Sequence, residues 1–381
     1  MMSWLISAGL FLLVLSPGSK AQDTVSKMCS SDELCTSVKR CKDSEDSGLM
    51  AIGPRIYRIC GDQRVCCETA QLESWDRSQS SKNRAVSSSI QDKVDESKSR
   101  YASNFKYKNC GYSDPRGLIP HNDRFNPPED VSFFGEFPWM VAIFTVRQSF
   151  LCGGTLIHPR LVISSSHNVI NELVDTLVAR VGDWDLNGLN EQFPHQSRRI
   201  KEIIMHPEFD QKRLFNDIAL LLLDEPIVLA PHIQPLCLPP PESPELINQL
   251  LSATCYSTGW GAKQADSDKL ENVLKRLNLP VVEHDECQAM LRNTRVSNSF
   301  RLGPSFMCAG GNGKDPCKGD GGSPLFCTMP GERDRYRLLG IVSWSVECGV
   351  EDIPAVYTNV PYLRSWIDER IREFGITLQA Q

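Results

Sequence analysis

Short apolar runs separated by turn residues dominate the chain from Gly135 onward: Met140–Val146, Gly154–Ile157, Leu161–Ser164, Ala219–Leu223, Leu338–Val342 and Ala355–Asn359. Runs of this length, rich in Val, Ile and Leu, predict strands, and many at such spacing predict a sandwich or barrel. No long helical period appears until Tyr362–Phe374, which predicts one C-terminal helix. About 240 residues of this kind fit a single all-β domain.

Upstream the pattern changes. The first apolar run, Trp4–Leu15 followed by Ser16-Pro17-Gly18, is shorter than the ~20 residues a bilayer requires. With small residues at Ser19 and Ala21 it reads as a signal peptide over 1–21, so the mature chain is expected to be exported and to have no membrane span. Six cysteines crowd into 29–67, and residues 74–103 hold ten Ser and ten charged side chains. That stretch can bury too little apolar surface to offset its ordering entropy, so 68–109 reads as a flexible linker and 110–381 as a large domain.

Composition narrows the class. The 381 residues carry 41 Lys+Arg and 47 Asp+Glu, a formal net charge of −6, which gives no electrostatic case for nucleic acid. Fifteen cysteines fit an oxidising compartment, and an odd number leaves at least one without an internal partner. The 29–67 module is too small to rely on a hydrophobic core, so crosslinks must hold it. Zinc is disfavoured there, because 22–109 contains no His and Cys66 directly precedes Cys67. Six cysteines still permit fifteen pairings.

The spacing Cys29-x5-Cys35-x5-Cys41, then Cys60-x5-Cys66-Cys67, resembles the clip domain of arthropod proteins. That resemblance implies pairings Cys29–Cys66, Cys35–Cys60 and Cys41–Cys67 around a small sheet, and a role in partner contacts or regulation. In the large domain, Gly135–Val141, Cys152–Ile157, Ser166-His167, Asn216–Leu220, Gly259-Trp260-Gly261, Cys317–Leu325, Val342-Ser343-Trp344 and Pro354–Thr358 follow in order. Order and spacing resemble the chymotrypsin-like serine protease family across 110–376. The implied fold is all-β, a double six-stranded β-barrel with a C-terminal helix and the active site between the barrels.

Such a protease needs a Ser nucleophile, a His base and an orienting Asp. By resemblance His167 and Asp217 hold the last two positions. The nucleophile motif, Gly-Asp-Ser-Gly-Gly-Pro in active members, reads Gly319-Asp320-Gly321-Gly322-Ser323-Pro324 here, so Gly321 replaces the nucleophile and Gly319 and Gly321 are oxyanion-loop remnants. Ser323 is a poor substitute: two residues along a tight turn displace its hydroxyl by roughly 5–7 Å, where misplacement by about 1 Å already costs large factors. The activating Ile/Val-Val-Gly-Gly is also missing, since 118–134 contain no Gly. Asp320 must therefore find another cation or hydrogen-bond donors, and a zymogen-like loop is expected. Asp315 stands where trypsin-like members place their specificity acid, but Ser345 and Ala355 replace the expected glycines, marking a pocket remnant. The resemblance further implies bridges Cys110–Cys237, Cys255–Cys327, Cys287–Cys308 and Cys317–Cys348. Cys152 is then a free thiol, because Asn168 stands at its partner's position.

The implied function is binding: an inactive homologue acting as cofactor or adaptor in an extracellular immune cascade that activates prophenoloxidase for melanisation. Its partners would be clip proteases, prophenoloxidase or other cascade members. An upstream trypsin-like protease would cleave it, at Arg64, within Arg77 to Arg100, or at Arg116 or Arg124. The competing readings are a weak trypsin-like hydrolase using Ser323 or a His167-activated water, and an adhesion or matrix-associated protein. No metal or other cofactor is assigned; the acidic loop Asp183–Glu191 lacks diagnostic calcium spacing.

Overall fold

The computed structural model describes residues 105–118, 127–188, 191, 193–264, 267 and 269–378, together with the backbone of three strands nearer the amino terminus. The chain divides into two compact units, Met1–Asp95 and Glu96–Gln381. In the first, β1 (Glu33–Ser37), β2 (Ile59–Gly61) and β3 (Arg64–Glu68) form an antiparallel sheet in the order β1-β3-β2. The signal peptide over 1–21, the three pairings expected within 29–67, most of the 68–109 linker, and the sites at Arg77 to Arg100 and Arg124 lie outside the described residues.

In the second unit, β4 (Met140–Thr145), β5 (Phe150–His158), β6 (Leu161–Ser164), β7 (Leu177–Val181), β8 (Gln196–Met205) and β9 (Ala219–Leu223) close a barrel in the order β4-β5-β6-β9-β8-β7. Every residue of β6 and β9 is buried, while β7 alternates between core and surface. Inside, Ile143, Leu156, Val162, Leu177, Val181 and Leu221 pack into one cluster, each worth about 1.5–3 kcal/mol in surface removed from water.

The second sheet contains β10 (Cys255–Gly259), β11 (Lys275–Asn278), β12 (Val281–Val282), β13 (Phe306–Asn312), β14 (Pro324–Thr328), β15 (Tyr336–Trp344) and β16 (Glu351–Asn359), ordered β11-β10-β14-β15-β16-β13-β12. It has seven strands rather than the expected six because Leu279-Pro280 interrupts a single run. Leu279 N–H donates to Cys255 O at 3.0 Å, and Pro280 O accepts from Gly310 N–H at 2.9 Å. Proline has no N–H to give the ladder, so β11 and β12 count separately while the chain between them closes the barrel.

Among the described residues four α-helices accompany the barrels: α1 (Ser166–Val169), α2 (Pro244–Leu250), α3 (His284–Arg292) and α4 (Val360–Glu373). Helix α4 is the one the sequence pattern predicts, burying Leu363, Ile367 and Ile371 at four-residue spacing. Helices α2 and α3 are too short to display a period, but each carries a start signal. Ser243 Oγ accepts from Leu246 N–H at 3.2 Å, and the Glu283 carboxylate accepts from the Asp285 and Glu286 amides at 2.8 and 3.1 Å. Disulfides Cys110–Cys237, Cys255–Cys327, Cys287–Cys308 and Cys317–Cys348 cross-link this unit.

Candidate functional site

His167 sits on α1, immediately after β6, and Asp217 lies just ahead of β9. Strands β6 and β9 pair directly, with Ser164 opposite Ala219. This pairing brings the two side chains together: Asp217 Oδ2 lies 2.6 Å from His167 Nδ1, and Asp217 Oδ1 accepts from the His167 amide at 2.8 Å. The carboxylate is fully buried and also accepts from Ser343 Oγ at 2.6 Å, a group supplied by β15. Three donors around a buried carboxylate satisfy its charge. They also fix the imidazole tautomer, with the proton on Nδ1 and the lone pair on Nε2.

That lone pair is occupied. Asn168 Nδ2 lies 2.7 Å from His167 Nε2 and donates to Ser165 Oγ at 2.6 Å. In the neutral imidazole, Nδ1–H faces Asp217 and the Asn168 NH2 faces the lone pair of Nε2. A Cβ built on Gly321 would fall 2.5 Å from Asn168 Nδ2 and 3.3 Å from His167 Nε2. The amide of Asn168 thus fills the space a side chain at 321 would enter. Ser323 is elsewhere: it is 1% exposed, its Oγ has no hydrogen-bond partner, and it packs against Gly153 and Gly259.

The loop ahead of β14 is anchored. Asp320 Oδ2 lies 2.8 Å from Lys275 Nζ, with side-chain exposures of 3% and 4%. Its other donors are the amides of Gly261 at 2.7 Å and Cys317 at 3.0 Å, while Lys275 also donates to Ala262 O at 3.0 Å. A lysine of β11 supplies the cation that Asp320 is expected to find in place of a new amino terminus. Glycines at Gly319 (φ 93°) and Gly322 (φ 80°) adopt left-handed conformations that bulkier residues resist.

Asp315 is 5% exposed, with Ala355 beside it at 1% and Ser345 half-buried. The Gly349 amide donates to Asp315 Oδ2 at 3.3 Å. Burial pushes the carboxyl up to about 7, against the downward pull of the backbone amides of Gly311, Gly349 and Ala355. Cys152 is fully buried and unbridged, its Sγ 3.7 Å from Ser164 Oγ. Burial drives this thiol up to about 12, so no thiolate is available for chemistry. In the acidic loop, Asp183, Glu191 and His195 bring ligand atoms within 4.8 Å of one another. Arg180 already pairs with Asp183 Oδ2 at 3.2 Å. Two carboxylates and an imidazole are donors for a divalent cation in general rather than for calcium, which prefers six to eight oxygens.

Residues 130–367 match the trypsin family. The chain is 40% identical over 257 residues to phenoloxidase-activating factor 2 of Galleria mellonella, covering 64% of this chain and 83% of that protein. It belongs to the trypsin family, as a clip-domain serine protease homologue. Over 271 residues it is 41% identical to the inactive CLIP domain-containing serine protease A8 of Anopheles gambiae, covering 69% of this chain and 71% of that one. Phenoloxidase-activating factor 3 of Holotrichia diomphalia is 35% identical over 259 residues, with coverages of 62% and 70%. In this homologue His167 is held on Asp217, and the Asn168 amide stands between His167 and Gly321. Sequence reasoning singled out Asn168 only as an absent cysteine and did not single out Lys275. The signal for both was a vacancy, a lost hydroxyl in one case and a lost amino terminus in the other.

Proposed function

We propose that this homologue is an exported, non-catalytic cofactor in the extracellular protease cascade that activates prophenoloxidase. The observation that carries the reading is the Asn168 amide, which occupies the place of a nucleophile and bonds the lone pair of the base. Without a hydroxyl at 321, and with His167 Nε2 engaged, neither attack by the enzyme nor abstraction of a proton from water has a group to perform it. The names of two relatives, phenoloxidase-activating factors 2 and 3, support a place in that cascade. The partners are then a clip protease or prophenoloxidase, and an upstream trypsin-like protease cleaves the chain before it acts. Export agrees with the apolar amino-terminal run, and no helix among the described residues is long and apolar enough to cross a membrane.

Reconstitution tests this. Purified chain, intact or nicked by a trypsin-like protease, is added to a clip protease and prophenoloxidase, and oxidation of a catechol is followed. The expected result is a rise in phenoloxidase activity that depends on the chain, with no labelling of the chain by a serine-directed phosphonate. Unchanged phenoloxidase activity with both forms sinks the cofactor role, and labelling sinks the non-catalytic one.

A further inference from the structure

Away from the His167 cleft, a second concavity opens between α2 and the turn from β12 into α3, with a volume of about 90 Å³. Leu246 and Leu250, both buried, form one wall with Ile247 and Leu251; Val282 and Met307 line the opposite side. Ile247 and Leu251 are 41% and 49% exposed. Of the seven large apolar side chains exposed among the described residues, these two line the cleft and a third, Tyr362, follows Pro361 of its wall. Single exposed apolar residues need no explanation, whereas a gathering of them around one cavity marks a contact surface.

The rim has one sign. Glu242, Glu283 and His284 border the cavity, and no Lys or Arg lines it. Glu245 on α2, and Asp285 and Glu286 on α3, extend this edge, and all five carboxylates are exposed. First-turn acids complement the helix dipole, which accounts for Glu245, Asp285 and Glu286. Glu242, outside any helix, accepts from Asn359 Nδ2 at 2.9 Å through one oxygen, and the helix dipole does not account for the apolar pair Ile247 and Leu251.

We propose that this cleft docks a partner-protein segment that presents one branched apolar side chain flanked by Lys or Arg. The cavity is smaller than the ~150 Å³ that accepts a benzene ring, so it fits a Leu or Ile anchor. The acidic rim selects against anionic flanks and speeds encounter with basic ones. This site is separate from the catalytic remnant and does not depend on which cascade the homologue serves.

The test uses the full chain and two fluorescein-labelled 12-residue peptides, one with a single Leu flanked by Lys and one with every Lys replaced by Glu. Fluorescence anisotropy should show saturable binding of the Lys peptide and at least about tenfold weaker binding of the Glu peptide. The double variant I247D/L251D should weaken the Lys peptide by about tenfold or more, the usual scale for a lost anchor. E245K/D285K should weaken it without touching the apolar wall, and both variants change only exposed positions. Failure of the Lys peptide to bind, equal binding of both peptides, or binding unaltered by either variant overturns the proposal.

Discussion

Asn168 and Gly321 form a complementary pair: the amide of one stands where a side chain on the other would have to go, 2.5 Å from a Cβ built at 321. A single change at 321 therefore collides with Asn168 before it can meet His167. Gly321→Ser should lower stability by about 1 kcal/mol, the scale of a disturbed hydrogen bond, since its Cβ meets only the far end of the flexible Asn168 side chain, and should remain unlabelled by a serine-directed phosphonate. Gly321→Ser with Asn168→Ala should recover most of that stability and become labelled, because His167 Nε2 is then free to activate the hydroxyl. Labelling of the single variant would show that the amide does not block the base.

The Lys275–Asp320 pair should be among the most sensitive contacts in the domain. Lys275→Met leaves a buried carboxylate without its cation, a loss of about 3–5 kcal/mol for this kind of change. Adding Asp320→Asn should return much of it, since the amide group carries no charge to strand. Urea unfolding of the two variants beside the parent reads the difference, and equal stability of Lys275→Met and the parent refutes the role given to the pair.

Asp315 makes stability fall as pH rises. Its folded value of about 7 stands above the ordinary carboxylate value, so the folded state keeps a proton that the unfolded state has released. The associated stability is complete below about pH 4, declines through the interval up to 7 and is lost above it. Asp315→Asn should therefore gain on the order of 4 kcal/mol over the parent at pH 8 and nothing at pH 4. Glu191 titrates near 7 as well, but both proteins share that group, so their difference isolates Asp315. A stability difference independent of pH contradicts the assignment.

Cys152 should be silent in the folded protein. A thiol reagent such as iodoacetamide should leave it unmodified at pH 8 and alkylate it fully in denaturant, with mass spectrometry as the readout. Rapid modification of native protein would mean that the thiol is not sealed beneath Ser164.

Much of the fold was legible because its strands are short and one-sidedly or wholly apolar. Leu161–Ser164 and Ala219–Leu223 emerge with the bounds read from the sequence, and the C-terminal helix lies close to its expected span. Strand β8, with Arg198, Arg199, Lys201 and Glu202, is hidden because its outer face is charged and its inner face offers few apolar residues. The break at Pro280 was likewise not read as two strands of one barrel. At the site, the missing hydroxyl of Gly321 is visible in the motif itself. What replaces a missing group is not, because the replacements come from distant segments: Lys275 is 45 residues from Asp320, and Asn168 reaches Gly321 only through the folded loop.

The bridge between Cys110 and Cys237 determines what a cut would do to the molecule. Scission after Arg77, Arg84 or Arg100 severs the front portion outright, since the staple lies on the far side of the break and the expected clip pairings lie on the near side, whereas a cut after Arg64 would be spanned by the expected Cys29–Cys66 and Cys41–Cys67 bridges. Scission after the exposed Arg116 leaves the two pieces in one covalent particle, distinguishable only after reduction on a gel. A trypsin-like protease would thus yield a liberated fragment or a nicked, still bipartite molecule, and a few residues of sequence separate the two fates.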